Sequence, residues 1–238
     1  VENRGIKNAM TDVIVPTNDL TEIAVVLDRS GSMQRLKDDM EGGLWATVVE
    51  QHGLPGRCRV SLYQFDDKWE VVFTGKPSGE VTQEDCRLVP RGSTALNDAV
   101  VKSLADLEAR ILGEPEEERP GKVAVIVITD GFENASEENK KQDVRDAIRR
   151  ATEKFGWKFV FLAADPDGFE EGVGMAQGFV GVAVAAYDAG DVKGMYAGTS
   201  RALGDYRSGH SELVDVDGNV MKDSDDSDGE VGGPEGVH

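Results

Sequence analysis

Cysteine is scarce in this 238-residue chain. Cys58 and Cys86 are the only two, which excludes a disulfide framework and a thiolate metal motif and leaves two expected free thiols. His52, His210 and His238 are too scattered for a zinc site. Basic charge is also short. Lys and Arg number 26 against 45 Asp and Glu, a net −19, and such a surface disfavours nucleic acid and anionic membranes as partners. No apolar run approaches the ~20 residues that cross a bilayer. The opening Val1-Glu2-Asn3-Arg4-Gly5 lacks the apolar core of a signal peptide, so the expected location is cytoplasmic. A phosphate-binding G-x-x-x-x-G-K-[ST] is missing, since Lys76-Pro77-Ser78-Gly79 does not fit that spacing, and no repeat of 20 to 50 residues is evident.

What is present divides the chain in three. From Asp205 to His238 ten acids face only Arg207 and Lys222, and too few apolar groups follow Arg207 to offset the entropy of ordering. Residues 208–238 are therefore expected to form an acidic, disordered tail, and residues 1–20, punctuated by Pro16, Asn18 and Asp19, a leader. Between them, in 21–207, apolar runs alternate with amphipathic stretches, as when parallel strands are covered by helices on both faces. Strands are expected at 22–28, 58–65, 69–74, 122–129, 157–164 and 179–187, and helices near 33–51, 95–112, 137–155, 168–177 and 190–207. Leu96, Val100, Leu104, Leu107 and Ile111 mark one buried helical stripe. Only Asp66, Asp67 and Lys68 separate the second and third strands, which predicts a hairpin and one antiparallel strand. The expected fold class is α/β, a doubly wound, Rossmann-like, mostly parallel six-stranded sheet.

Chemistry concentrates at the carboxyl ends of strands, where open α/β sheets bind ligands. Asp28-Arg29-Ser30-Gly31-Ser32 follows Ile23-Ala24-Val25-Val26-Leu27 and offers one carboxylate and two hydroxyls. Asp130 follows Val125-Ile126-Val127-Ile128-Thr129 and precedes Gly131, where the backbone can turn sharply. Between them, Arg91-Gly92-Ser93-Thr94-Ala95-Leu96 enters the second helix and presents Thr94. Hard oxygen donors of this kind suit magnesium, manganese or calcium.

These residues resemble the von Willebrand factor A family, whose metal-ion-dependent adhesion site (MIDAS) is written D-x-S-x-S, then a distant T, then a D. Asp28, Ser30, Ser32, Thr94 and Asp130 match all five positions, and the resemblance spans about residues 20–207, element order included. It implies a cation (Mg2+, or Mn2+ or Ca2+) near Asp28, Ser30 and Ser32, with Thr94 and Asp130 binding directly or through water. A coordination position would remain for an Asp or Glu carboxylate of a protein partner. The implied function is a cation-dependent adhesion or scaffold module rather than an enzyme. The resemblance is to compact bacterial or phage members, some of which accompany AAA+ ATPases.

Other readings stay open from the residues alone. Ser30, Ser32 and Thr94 could cap helices, and Asp28 and Asp130 could be acids at helix N-termini. A magnesium-dependent hydrolase or phosphatase with Asp28 as nucleophile is a rival, though Ser30 stands where a D-x-D enzyme has its second acid. A metal-free scaffold is a third. Asp66 and Asp67, Glu133 and Asn134, and Asp165 with Asp167 lie where they could support or line the site. Arg29 is expected to point away from Asp28. In the tail, Asp215, Asp217, Asn219, Asp223 and Asp226 only partly mimic an EF-hand loop, with Gly218 out of place. Leu88-Val89-Pro90-Arg91-Gly92-Ser93 is similar to a thrombin site, yet it runs straight into the Thr94 loop.

Overall fold

Each of the six apolar runs forms a strand: β1 (Thr21–Asp28), β2 (Cys58–Phe65), β3 (Trp69–Pro77), β4 (Lys122–Thr129), β5 (Lys158–Ala163) and β6 (Val182–Ala186). Five helices accompany them: α1 (Lys37–Gly53), α2 (Leu96–Gly113), α3 (Lys141–Phe155), α4 (Pro166–Ala176) and α5 (Val192–Ser208). The computed structural model describes residues 19–131, 133–164, 166–210 and 212–213. Residues 1–18 of the expected leader, Asp165, and 214–238 with the EF-hand-like acids and His238 lie outside the described residues. The expected tail boundary at 208 falls too early, because α5 runs to Ser208 with Gly209 as its cap and Leu213 is fully buried in the core beside it.

The strands form one sheet in the order β3-β2-β1-β4-β5-β6. Only β2 and β3 pair antiparallel; the other neighbours are parallel. The two-residue period of the strand splits its side chains between two cores. Ile23, Val25 and Leu27 of β1, with Ala124, Ile126 and Ile128 of β4, face the core shared with α1 and α5. Ala24 and Val26, with Val123, Val125 and Val127, face the core shared with α2, α3 and α4. The expected stripe Leu96, Val100, Leu104, Leu107 and Ile111 is buried in that second core, each large aliphatic side chain contributing about 1.5–3 kcal/mol. On the first face, α1 approaches α5 so closely at Gly43 that a Cβ there would collide with the Tyr196 ring.

Strand β3 runs three residues past the expected 74 and β6 begins three after the expected 179, and two helix starts also differ. Residues 33–36 do not begin α1, because Gly31–Arg35 forms a short 3-10 turn first. The third helix begins at Lys141 rather than 137. The backbone N–H groups of Glu137, Glu138 and Asn139 are instead drawn onto the Asp98 carboxylate of α2.

The order of strands reverses between β1 and β4. Chains leave these two strands in opposite directions across the sheet, opening a crevice beyond their carboxyl ends. Asp28 and Asp130 stand at that crevice.

Candidate metal centre

Asp28 is the last residue of β1, and the parallel register that sets Leu27 beside Ile128 brings it next to Thr129 of β4. Its side chain has no contact with solvent. Thr129 Oγ1 donates to Asp28 Oδ2 at 2.6 Å, and the Ser30 backbone N–H donates to Oδ1 at 2.6 Å. Burial pushes the Asp28 carboxyl up to about 6, against the hydrogen bonds from Thr129 and Ser30, and the nearby Asp130 adds to the rise. A buried carboxylate facing a second carboxylate, with hydroxyl rather than cationic partners, disfavours its own charge.

The hydroxyls continue toward that second acid. Ser30 Oγ and Ser32 Oγ lie 3.1 Å apart, and Ser32 Oγ donates to Asp130 Oδ1 at 2.6 Å. Asp28, Ser30, Thr94 and Asp130 are buried, whereas Ser32 is exposed, so the cluster opens on the Ser32 side. Asp130 Oδ2 is buried with no hydrogen-bond partner among the described residues, and the half-exposed Arg35 guanidinium stands 3.6 Å away.

Thr94 arrives from the loop before α2. Its Oγ1 lies 3.9 Å from where a Cβ on Gly131 would stand, which places it beside the Asp130 turn. Backbone bonds stitch the three segments together: Gly31 N–H to Gly92 carbonyl at 3.1 Å, Arg91 N–H to Arg29 carbonyl at 2.8 Å, and Asn134 N–H to Thr94 carbonyl at 3.0 Å. The structure thus brings the five sequence-predicted residues to one edge of the sheet.

The capping alternative does not describe these hydroxyls. Ser30 precedes the 3-10 turn without a side-chain cap bond, and the residue before α2 is Ala95, also without one. The flanking residues have bracing roles. Asn134 Oδ1 accepts the Thr94 N–H at 2.9 Å, and Glu133 accepts from the N–H groups of Asn97, Ala135 and Ser136. Arg29 points away from Asp28, into an ion pair with Asp66 at 2.8 Å. Sequence reasoning missed Thr129, Arg35 and Asp98. Thr129 carried a signal, since a hydroxyl residue ends β4 immediately before Asp130. Asp167 lies instead with Lys141, Glu170 and Glu171 around a separate surface pocket.

Among the described residues no three His, Cys, Asp or Glu side chains gather to hold a metal. A cation at this edge would therefore rely on hydroxyl oxygens beside two carboxylates. The donors fit a hard divalent ion: all are oxygen, two are anionic, and one buried carboxylate oxygen lacks a hydrogen bond. Such an ion, when bound, supplies Lewis acidity toward a further oxygen ligand. Among the described residues no helix is long and apolar enough to cross a membrane.

No protein-family model matches the sequence, and comparison with curated protein sequences finds no match. Solved structures do match. The chain is similar to a von Willebrand factor type A protein from Catenulispora acidiphila, at 16% identity and a TM-score of 0.57, covering 79% of this chain and 43% of that one. Proximal thread matrix protein 1 from the mussel byssus, with a zinc-occupied MIDAS motif, is 17% identical, with a TM-score of 0.56 and coverage of 80% and 47%. The vWF domain of the pilus tip protein Mfa5 from Porphyromonas gingivalis is 10% identical, with a TM-score of 0.54 and coverage of 79% and 96%. The chain spans less than half the length of the first two. At these identities the likeness concerns architecture, and it agrees with the sheet order and the single antiparallel edge: this chain has the von Willebrand factor type A fold.

Proposed function

We propose that residues 21–207 form a divalent-cation-dependent protein-binding module, in which Asp28, Ser30, Ser32, Thr94 and Asp130 hold Mg2+, or Mn2+ or Ca2+, and the ion accepts an Asp or Glu carboxylate from a partner. One observation carries the reading. Among the described residues, two buried carboxylates share an edge through a chain of hydroxyls, Asp28 without a cationic partner and Asp130 Oδ2 without a hydrogen bond, with the exposed Arg35 guanidinium 3.6 Å from it. Buried charge left in this condition is costly unless an ion balances it. Few charged ligands would surround that ion, so it would keep affinity for another anionic oxygen.

A zinc-occupied MIDAS motif in the mussel protein and the pilus-tip setting of the Mfa5 domain support the adhesion reading by analogy. The hydrolase reading is weaker here. Ser30 cannot serve as the carboxylic acid such an enzyme needs. Any acidic ligand must overcome the net −19 at short range, where the ion dominates.

The test is capture of immobilised peptides that present Asp or Glu, against Asn and Gln counterparts, in Mn2+ and in chelator. Binding confined to acidic peptides in Mn2+, and lost in Thr94→Ala, supports the module. Equal capture in chelator refutes it.

A further inference from the structure

Two of the three segments carrying the oxygen donors, those of Asp28–Ser32 and of Thr94, meet at one buried carboxylate that is not among the donors. Asp66 follows β2 at the hairpin turn, and its side chain is fully buried. Its Oδ2 accepts from Arg29 Nε at 2.8 Å and from Arg91 Nε at 2.7 Å. Its Oδ1 accepts the Lys68 N–H at 2.8 Å, and its backbone carbonyl accepts the Ala95 N–H at 2.8 Å. Arg29 lies between Asp28 and Ser30. Arg91 lies three residues before Thr94.

The contact leaves little slack. Gly92 has a φ of +67°, and a Cβ there would collide with the Asp67 carboxylate, so the loop passes tightly over the hairpin turn. Without the Asp66 charge, the two guanidinium groups that share its oxygen would face each other with the half-exposed Glu70, 2.7 Å from Arg29 and 4.0 Å from Arg91, as their remaining acid. Arg29, whose Nη2 is already buried without a hydrogen bond, would keep only the half-exposed Glu70.

The geometry points to Asp66 as a positioning residue for the candidate cation site: through Arg29 and Arg91 it fixes the loop of Asp28, Ser30 and Ser32 against the loop of Thr94. The inference rests on the cation-binding reading for its effect on affinity. The clamp itself can be tested without any metal. Outer partners that orient metal ligands commonly matter about 10–100-fold in affinity.

The segment Leu88–Ser93 supplies the metal-independent readout. It resembles a thrombin site cut after Arg91, yet Leu88 is fully buried and the Arg91 guanidinium is held on Asp66. The experiment treats the full chain, in chelator, with thrombin and compares wild type with Asp66→Asn. Mn2+ affinity and thermal unfolding are measured on the same proteins and on Arg91→Ala and Arg91→Lys. A working clamp predicts that Asp66→Asn is cut at least about tenfold faster, the low end expected from losing one charged hydrogen bond. It also predicts weaker Mn2+ binding in Arg91→Ala, with little change in unfolding temperature because Arg91 is mostly exposed, and recovery in Arg91→Lys.

Unchanged cleavage of a folded Asp66→Asn overturns the clamp. If Asp66→Asn does not fold, the Arg91 pair decides, and wild-type Mn2+ affinity in Arg91→Ala overturns it. If wild type binds no Mn2+, the cation reading fails, and faster cleavage of Asp66→Asn still upholds the clamp.

Discussion

Strand β1 carries a buried carboxylate near each end, and the two have opposite surroundings. Glu22, near its start, is fully buried and meets Arg59 Nε at 3.0 Å, Arg110 Nη2 at 2.7 Å and Ser61 Oγ at 2.6 Å. Both arginines also reach Glu114, at 3.0 and 2.9 Å. The network closes on itself. Asp28, at the other end, has a hydroxyl, a backbone N–H and a second carboxylate for company. Equal burial thus has two settings: a neutralised pin that ties β1 to β2 and α2, and an edge where the acid has no cationic partner among the described residues.

The largest expected effect falls at the pin. Glu22→Gln strips the shared partner from two largely buried arginines and should cost about 3 kcal/mol, the low end for breaking a buried pair because Glu114 remains; urea unfolding measures it. Asp28→Asn should leave the chelator-treated protein no less stable than wild type, since it removes a charge the fold does not neutralise. A loss as large as that of Glu22→Gln would erase the contrast.

Cation should stabilise only one of these ends. At a concentration one hundred times its Kd, Mg2+ or Mn2+ should add about 2.7 kcal/mol to unfolding of wild type and of a folded Glu22 variant. The increment should vanish in Asp28→Asn, as read by thermal unfolding with and without metal.

A third buried acid sharpens the comparison through pH. Burial tends to raise the Asp98 carboxyl, but hydrogen bonds from the Asn139 side chain and the backbone of Glu137, Asn139 and Glu138 hold it below its ordinary 3.8. Its stabilising contribution is therefore full above that value and is lost as pH falls through the depressed folded one. Asp98→Asn should flatten the acid limb of the stability curve by on the order of 1 kcal/mol, read from unfolding at a series of pH values below 4. The smallest effect on folding is expected for Thr94→Ala, under about 1 kcal/mol because its side chain caps no helix, while metal-dependent capture is lost.

These differences also explain what the sequence discloses. The five candidate site residues are readable because each sits at a strand end or helix entrance, where local pattern fixes position. Thr129 is half readable, being one residue from Asp130. The Asp66 clamp and the Glu22 pin are not readable, since they join residues 25 to 88 positions apart along the chain and depend on strand order. The late start of α3 was hidden for the same reason. Residues 137–140 look helical locally, and only the distant Asp98 carboxylate diverts their backbone.

The most direct measurement is calorimetric titration of Mn2+ into chelator-treated wild type and Asp28→Ala, with the residues after Leu213, which is buried in the core, removed to eliminate diffuse binding by the acidic tail. The account predicts one saturable site in wild type that disappears in a folded Asp28→Ala. Equal affinity in both would contradict it by placing the ion elsewhere, and no saturable binding in wild type would contradict a cation-dependent function.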